Sequence, residues 1–245
     1  MRRDYKGISI NTSENTHETV FELVGNGPES RIVDVPCGSG AFVQRLKDHD
    51  YHHVYGIDIE DGLEIDHESF RQGDMTDRLP LDDESVDTLV CIDGIEHIDR
   101  QQDFVAEVIR VLRPGGEFIV STPNISSIRS RWKWLLTGHH NKCNSPLDER
   151  NPGPLHHIGL LSFPEIRYLL HSGGFHIEQI TTNRTKPVSW LYLPLVPLLY
   201  LATLLVYHRR GKKEGTEHVC SEVRKSMFSL PLLFGETMIV RAVRK

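Results

Sequence analysis

The sequence predicts an α/β protein built on a doubly wound, seven-stranded, mostly parallel sheet. Three observations carry this. Short β-branched runs alternate with amphipathic helical patterns over the first two thirds of the chain, a glycine-rich turn follows the first run, and acidic residues close successive runs. Strands that alternate with helices need crossover connections, so they lie parallel and are covered on both faces. At 245 residues the chain makes one large domain with room for an insertion.

The elements follow in order. RIVDV (31–35) is a β-branched run that stops at Pro36, and AFVQRLKDH (41–49) has helical spacing. HVYGID (53–58) is a second strand ending in an acid. A weak third strand lies in ESFRQGDM and ends near Asp74. SVDTLVCI (85–92) is the fourth, and DFVAEVIRVLR (103–113) is an amphipathic helix stopped by Pro114-Gly115-Gly116. EFIVST (117–122) is the fifth strand. Beyond residue 124 the pattern changes. SSIRSRWKWLLTG (126–138) is a basic, Trp-containing helix, and residues 139–157 form a long polar loop. SFPEIRYLLHSGG (162–174) has Pro in its first turn and Gly at its end. FHIEQITT (175–182) and ETMIVRAVRK (236–245) are the last two strands. The domain expectation is one unit over 1–245, with 126–174 forming an acceptor-side lid and 187–213 an insertion.

Composition excludes some partners. With 28 Lys+Arg against 34 Asp+Glu the net charge is −6, unsuited to general nucleic-acid binding. Cys37, Cys91, Cys143 and Cys220 follow no disulfide framework, and MRRDYKGISINTSEN lacks the apolar core of a secretory signal. The expected location is therefore the cytoplasm. No internal repeat or low-complexity tract is visible.

The most informative motif is Asp34-Val-Pro-Cys-Gly38-Ser-Gly40, set between the first strand and a helix. Gly38 and Gly40 let the backbone approach a ligand, and the helix N-terminus offers free N–H groups. In doubly wound folds ligands bind beyond the carboxyl ends of the strands, where this turn sits. Asp58 closes the second strand, where a carboxylate can take both hydroxyls of a ribose. Asp74 closes the third, and Met75 beside it offers a polarisable surface for a purine. Any one of these acids alone reads as an exposed turn residue; three in succession converge on one crevice. A dinucleotide site is the competitor, but it wants a third glycine where Val43 stands. An adenosine ligand without phosphate, bearing a cationic centre, fits the turn better.

DVPCGSGAF, GIDIE, GDMTDRLPLDDESVD, IEHID and LRPGGEFIVSTPN, in this order, resemble the successive motifs of class I S-adenosylmethionine-dependent methyltransferases. Within that class they are most similar to the ubiquinone-biosynthesis-like small-molecule O-methyltransferases. The resemblance covers about residues 17–182 and returns at 236–245. It implies S-adenosylmethionine as methyl donor and a last strand inserted antiparallel beside the fifth and sixth. It also implies that Asp34, Gly38 and Gly40 hold the methionine end, Asp58 the ribose, and Asp74 with Met75 the adenine, with Ile59 and Pro36 also among the cofactor-binding residues. Pro36, in the same turn, stands where the family usually has Gly.

An oxygen acceptor must lose a proton as it is methylated. CIDGIEHIDR (91–100) places Asp93, Glu96 and His97 at the mouth of the crevice, with Asp93 counted on the donor side. A histidine of near-neutral pKa is the natural general base, so His97 is the first catalytic candidate, against a structural helix cap. In similar quinone-pathway enzymes acids and a His at matching positions are associated with a divalent cation. Asp93 replaces a longer Glu there, and no metal is assigned. His157, just before the FPEIRYLL helix, matches an acceptor-lid residue of the resemblance and is the second catalytic candidate, with His156 beside it. His139, His140, Cys143, His156 and His157 match no standard closed zinc site.

One stretch remains. VSWLYLPLVPLLYLATLLVY (188–207) is preceded by Pro187, carries no charge, and is followed at once by HRRGKK. Its 21 residues from Pro187 are long enough to cross a bilayer core of ~30 Å. Crossing would put the two flanking strands on opposite sides of a membrane, and Pro194 and Pro197 are expected to break a helix near its middle. Two readings stay open. One is a buried helical pair or dimer element. The other is a monotopic patch, with Trp190, Tyr192, Tyr200 and Tyr207 at the interface and Arg209, Arg210, Lys212 and Lys213 near anionic headgroups.

The expected function is methyl transfer to oxygen on a lipophilic or lipid-linked small molecule, on the cytoplasmic face of a membrane. A soluble sugar or metabolite acceptor and a non-catalytic S-adenosylmethionine-binding module are the alternatives. A homo-oligomer is left open.

Overall fold

The computed structural model describes residues 3–245 apart from 61, 63, 66, 143–146, 152 and 154. A short hairpin, β1 (Arg3–Tyr5) and β2 (Ile8–Ile10), precedes α1 (Thr16–Leu23). Then come β3 (Arg31–Asp34), α2 (Ala41–Lys47), β4 (His53–Asp58), β5 (Phe70–Gln72) and β6 (Val86–Ile92). They are followed by α3 (Gln101–Val111), β7 (Leu112–Pro123), α4 (Ile128–Thr137), α5 (Phe163–Ser172) and β8 (Phe175–Thr181). The chain ends with α6 (Val196–Glu214), α7 (Glu217–Met227), α8 (Leu230–Phe234) and β9 (Thr237–Arg244).

The main sheet has seven strands in the order β5-β4-β3-β6-β7-β9-β8. The first five are parallel, and β9 runs antiparallel to both β7 and β8. This is the expected doubly wound sheet with its last strand inserted. The strands read as continuous apolar runs because each face packs on its own layer. Val33, Leu89, Phe118, Val120 and Val240 face a core shared with α3 and α5. Their neighbours Ile32, Val90, Ile119 and Ile239 face the opposite way, onto Val20 of α1 and Phe42 and Leu46 of α2. The period-two alternation of the strands thus divides the apolar residues between two cores.

Helix ends follow local chemistry. α5 starts at a capping box: Ser162 N–H donates to Glu165 at 2.7 Å, Pro164 sits in the first turn, and Gly173 follows the end. α3 ends two residues earlier than expected, because Leu112 already begins β7. The third strand is shorter than its pattern suggested, so Asp74 lies two residues past β5 rather than on it.

The segment between β8 and β9 holds the largest correction. Pro194 and Pro197 do not break a helix in its middle. Pro187–Leu195 forms 3₁₀ turns containing Pro194, and Pro197 falls in the first turn of α6, where a missing N–H costs nothing. α6 then runs unbroken through the basic residues, and its 19 residues make it about 28 Å long at ~1.5 Å per residue. By length and composition Pro187–Glu214 is the one candidate membrane span among the described residues. Its ends are tied to one sheet: β8 pairs with β9, and Thr185 bridges Gly235. α7 returns against α6, with Tyr207 Oη donating to Met227 Sδ at 3.4 Å and Arg224 bonded to Tyr200 Oη.

A buried ionic cluster pins the root of this insertion. The Glu236 side chain is 6% exposed and meets Lys142 at 3.1 Å, Arg184 at 2.6 Å and Lys186 at 2.8 Å. Burial alone would raise the Glu236 pKa. Hydrogen bonds from Lys186 and Arg184, with Lys142 beside them, outweigh it and bring the carboxyl to about 2. Its stabilising contribution is therefore present above the unfolded value near 4.5 and is lost as pH falls toward 2. The expected result is a melting temperature that drops through this window in wild type, with a flatter profile in Glu236→Gln. Parallel profiles in thermal melts would contradict it.

Candidate active site

The carboxyl ends of β3, β4 and β6, with the loop after β5, open into one cleft of about 880 Å³. Every donor-side residue singled out in the sequence lines it: Asp34, Pro36, Gly38, Asp58, Ile59, Asp74, Met75 and Asp93, with Gly40 at the adjoining start of α2. His97 and His157 line it from the other side. Gly38 (φ +52°) and Gly40 (φ +86°) take left-handed backbone, which is why this turn demands glycine. The Val35–Pro36 bond is cis.

Asp58 is held ready to accept. Its Oδ2 takes the Gly38 N–H at 2.8 Å and its Oδ1 the Ile59 N–H at 2.8 Å, leaving each oxygen further lone-pair capacity. Asp74 spends one oxygen on its own turn, taking Thr76 N–H and Thr76 Oγ1 at 2.7 Å each. Met75 is 7% exposed and belongs to the core as well as the cleft wall. Asp34 is fully buried, with Oδ1 lacking any protein partner. Burial, and then the nearby Asp58, push its carboxyl well above the usual range. A buried carboxylate with no protein donor calls for an external cation or donor. S-adenosylmethionine carries a sulfonium and an ammonium, so the residues present fit that group.

Asp93 follows β6 with φ +48°. It accepts from Ser121 Oγ at 2.7 Å, and its own N–H donates to the same hydroxyl at 3.0 Å. Burial raises its pKa, and the bond from Ser121 is the largest opposing effect. Glu96 is fully buried, and burial together with Asp93 pushes its carboxyl well up. His97 and His157 meet edge to face, with ring centroids 4.8 Å apart. His97 Nδ1 lies 3.3 Å from the His156 carbonyl, which favours the proton on Nδ1 and Nε2 as the acceptor, and the Asp93 backbone also bonds to the ring. Burial first, and His157 second, hold the His97 pKa below its ordinary 6.5. The ring is thus neutral near pH 7 and able to take a proton.

Glu96, His97 and His157 bring one donor atom each within 4.8 Å of one another. A carboxyl and two imidazoles suit a divalent cation, although Asp93, the acid the resemblance points to, is engaged with Ser121. The other histidines go elsewhere: His140 accepts or donates with Ser130 Oγ at 3.1 Å and stacks on Trp134, while Cys143 lies outside the described residues.

Sequence reasoning missed the N-terminal wall. Ser9, Asn11, Thr12 and His17 line the cleft, although the hairpin and α1 had no strong periodic signal. The segment is tied down by Ser9 N–H to Glu64 at 3.2 Å and by Asn183 Nδ2 to the Glu14 carbonyl at 2.7 Å. Those contacts span more than fifty positions in the chain, so no local pattern announces them.

Comparison with known proteins agrees with this geometry. A family described as a methyltransferase domain matches residues 33–120. A probable S-adenosylmethionine-dependent methyltransferase of Mycolicibacterium smegmatis is 32% identical over 66% of this chain and 58% of its own. A ubiquinone biosynthesis O-methyltransferase of Maricaulis maris is 28% identical over 49% of this chain and 55% of its own. The chain thus spans little more than half the length of either relative. Among solved structures, a putative methyltransferase from Bacillus halodurans superposes with a TM-score of 0.58 at 14% identity, covering 94% of this chain and 98% of that one. Sheet and cleft have the form of a methyltransferase domain, the family match covers its first five strands, and the relatives matched include S-adenosylmethionine-dependent methyltransferases. The cleft's residues fit S-adenosylmethionine as a methyl donor.

Proposed function

We propose that the chain methylates oxygen on a lipophilic or lipid-linked small molecule that reaches the cleft from a membrane surface. S-adenosylmethionine would supply an electrophilic methyl group from its sulfonium and leave as the neutral thioether S-adenosylhomocysteine. Asp34 and the turn at Gly38 and Gly40 hold its amino-acid end, Asp58 and Ile59 its ribose, and Asp74 and Met75 its base. His97 Nε2 takes the acceptor's proton while His157 packs against the ring and closes the acceptor side. Most of the acceleration comes from holding acceptor and methyl group in line.

The observation that carries the membrane half of this reading is the exposure of the insertion. Leu191 is 77% exposed and Leu198 67%; Trp190, Leu193, Leu201, Leu205 and Val206 are exposed as well. Trp132 of α4 contacts Tyr192, with ring centroids 6.5 Å apart, so Trp134, Leu135 and Leu136 extend the same apolar surface. A surface this apolar is out of place in water. Arg209, Arg210, Lys212 and Lys213 follow it on α6, within reach of anionic headgroups. The small share of the stretch that is buried favours this reading over a core element, with Leu199 and Leu204 among the more enclosed of its leucines.

Replacing Leu191, Leu198, Leu201 and Leu205 with serine is expected to abolish co-flotation with liposomes while leaving the melting temperature within a few degrees of wild type. A variant that still floats contradicts membrane docking. Wild type that is dimeric and never floats assigns the patch to a second copy instead.

A further inference from the structure

A second, smaller cavity of about 20 Å³ lies at the root of the insertion, lined among others by Ser127, Arg129, Lys142, Lys186, Ser189 and Glu236. Its charge is unbalanced. Lys142, Arg184 and Lys186 crowd one carboxylate, Glu236, and Arg184 also pairs with Glu14. Arg129 on the cavity wall forms no ion pair among the described residues. Four cations therefore face two carboxylates. The first turn of α4 adds to the same wall through Ser127 and Arg129, and a helix start leaves N–H groups without intrahelical acceptors.

The cavity stands between the two features already described. Lys142 also donates to Ser13 Oγ, and the Ser13 N–H supports Asp93 at the cleft. On the other side Lys186 and Ser189 lead into Trp190 and the exposed apolar surface, and Arg129 shares a helix with Trp132. Contacts from this cationic point thus run one way to Asp93 at the cleft and the other way to the apolar surface.

We propose that the cavity is a phosphate subsite: the acceptor carries a phosphate group between its lipid tail and its methylated part, and Arg129, Lys142 and Lys186 hold that phosphate. This rests on the methyl-transfer reading above and names the substrate class within it. Phosphate binds at the cavity rim, because the enclosed volume takes no more than a water-sized group. Lys142 and Lys186, 36% and 33% exposed, turn from Glu236 toward the anion while the Arg184 bond keeps Glu236 paired. A bridging phosphodiester there brings one negative charge against the surplus of two, and charge-assisted bonds to phosphate are among the stronger ones.

The test titrates dodecyl phosphate and dodecanol, below their aggregation limits, into the full chain saturated with S-adenosylhomocysteine. Wild type is expected to bind the phosphate roughly tenfold more tightly than the alcohol, and Arg129→Gln/Lys186→Gln to lose that preference with unchanged S-adenosylhomocysteine affinity. Arg129→Gln alone, which breaks no ion pair, is expected to lose part of it and covers the case in which the double variant melts early. Equal binding of the two amphiphiles to wild type, or an undiminished preference in both variants, overturns the proposal. Flotation with phosphatidylglycerol vesicles separates the sources: unchanged flotation in the variants supports an acceptor phosphate. Flotation lost in step with dodecyl phosphate binding assigns the cations to lipid headgroups and overturns it. Failure of wild type to bind S-adenosylhomocysteine strikes the methyl-transfer reading instead, and the amphiphile comparison on the free chain still decides the subsite.

Discussion

Replacing His97 with alanine is expected to lower turnover by a factor on the order of 10²–10⁴, the range a positioned general base contributes. Cofactor affinity should change little, because the ring meets the donor side only through the Asp93 backbone and not through a donor-side side chain. The reason lies in the local geometry. The His156 carbonyl at 3.3 Å favours the tautomer in which Nε2 is the basic atom, and burial keeps it unprotonated. The pH dependence has a definite sign. A histidine held below 6.5 becomes active as pH rises through its lowered pKa, so the acid limb of the rate profile should lie below that value and vanish in the variant. Turnover unchanged in His97→Ala would clear the residue of any role. Loss of turnover together with loss of cofactor binding would make it structural.

Asp58→Ala carries the second large effect, on binding rather than rate. Hydrogen bonds to a charged group are worth roughly 1.5–3 kcal/mol, so affinity for S-adenosylmethionine should fall by more than about tenfold. The loss is not confined to ligand contacts. Asp58 also takes the Gly38 N–H at 2.8 Å and so braces the glycine turn from across the cleft. Asp58→Asn, which keeps one acceptor oxygen, should recover part of the affinity. Near-wild-type binding in the alanine variant would remove the ribose assignment.

The sheet was legible because its signals are local. Each strand is an apolar run ended by a turn residue, and the order of glycine turn and acids marks one edge of a doubly wound sheet. That wall of the cleft was legible for the same reason, since Asp34, Asp58 and Asp74 lie at or just past strand ends and line it together. Three things were not. The N-terminal wall is assembled from contacts such as Ser9 with Glu64, which no periodicity encodes. The pairing of His97 with His157 depends on the fold of a loop sixty positions away. The insertion misled because prolines were weighed by presence rather than by place. At the first turn of α6 Pro197 starts a helix instead of breaking one. The cluster around Glu236 was equally hidden, as its three cations come from two separate segments.

The most direct measurement is a calorimetric titration of the full chain with S-adenosylmethionine, set against the same titration with NADH. Binding of S-adenosylmethionine in the micromolar range, with none of NADH, is the predicted result. Binding of NADH, or no binding of S-adenosylmethionine, would contradict the assignment of this cleft.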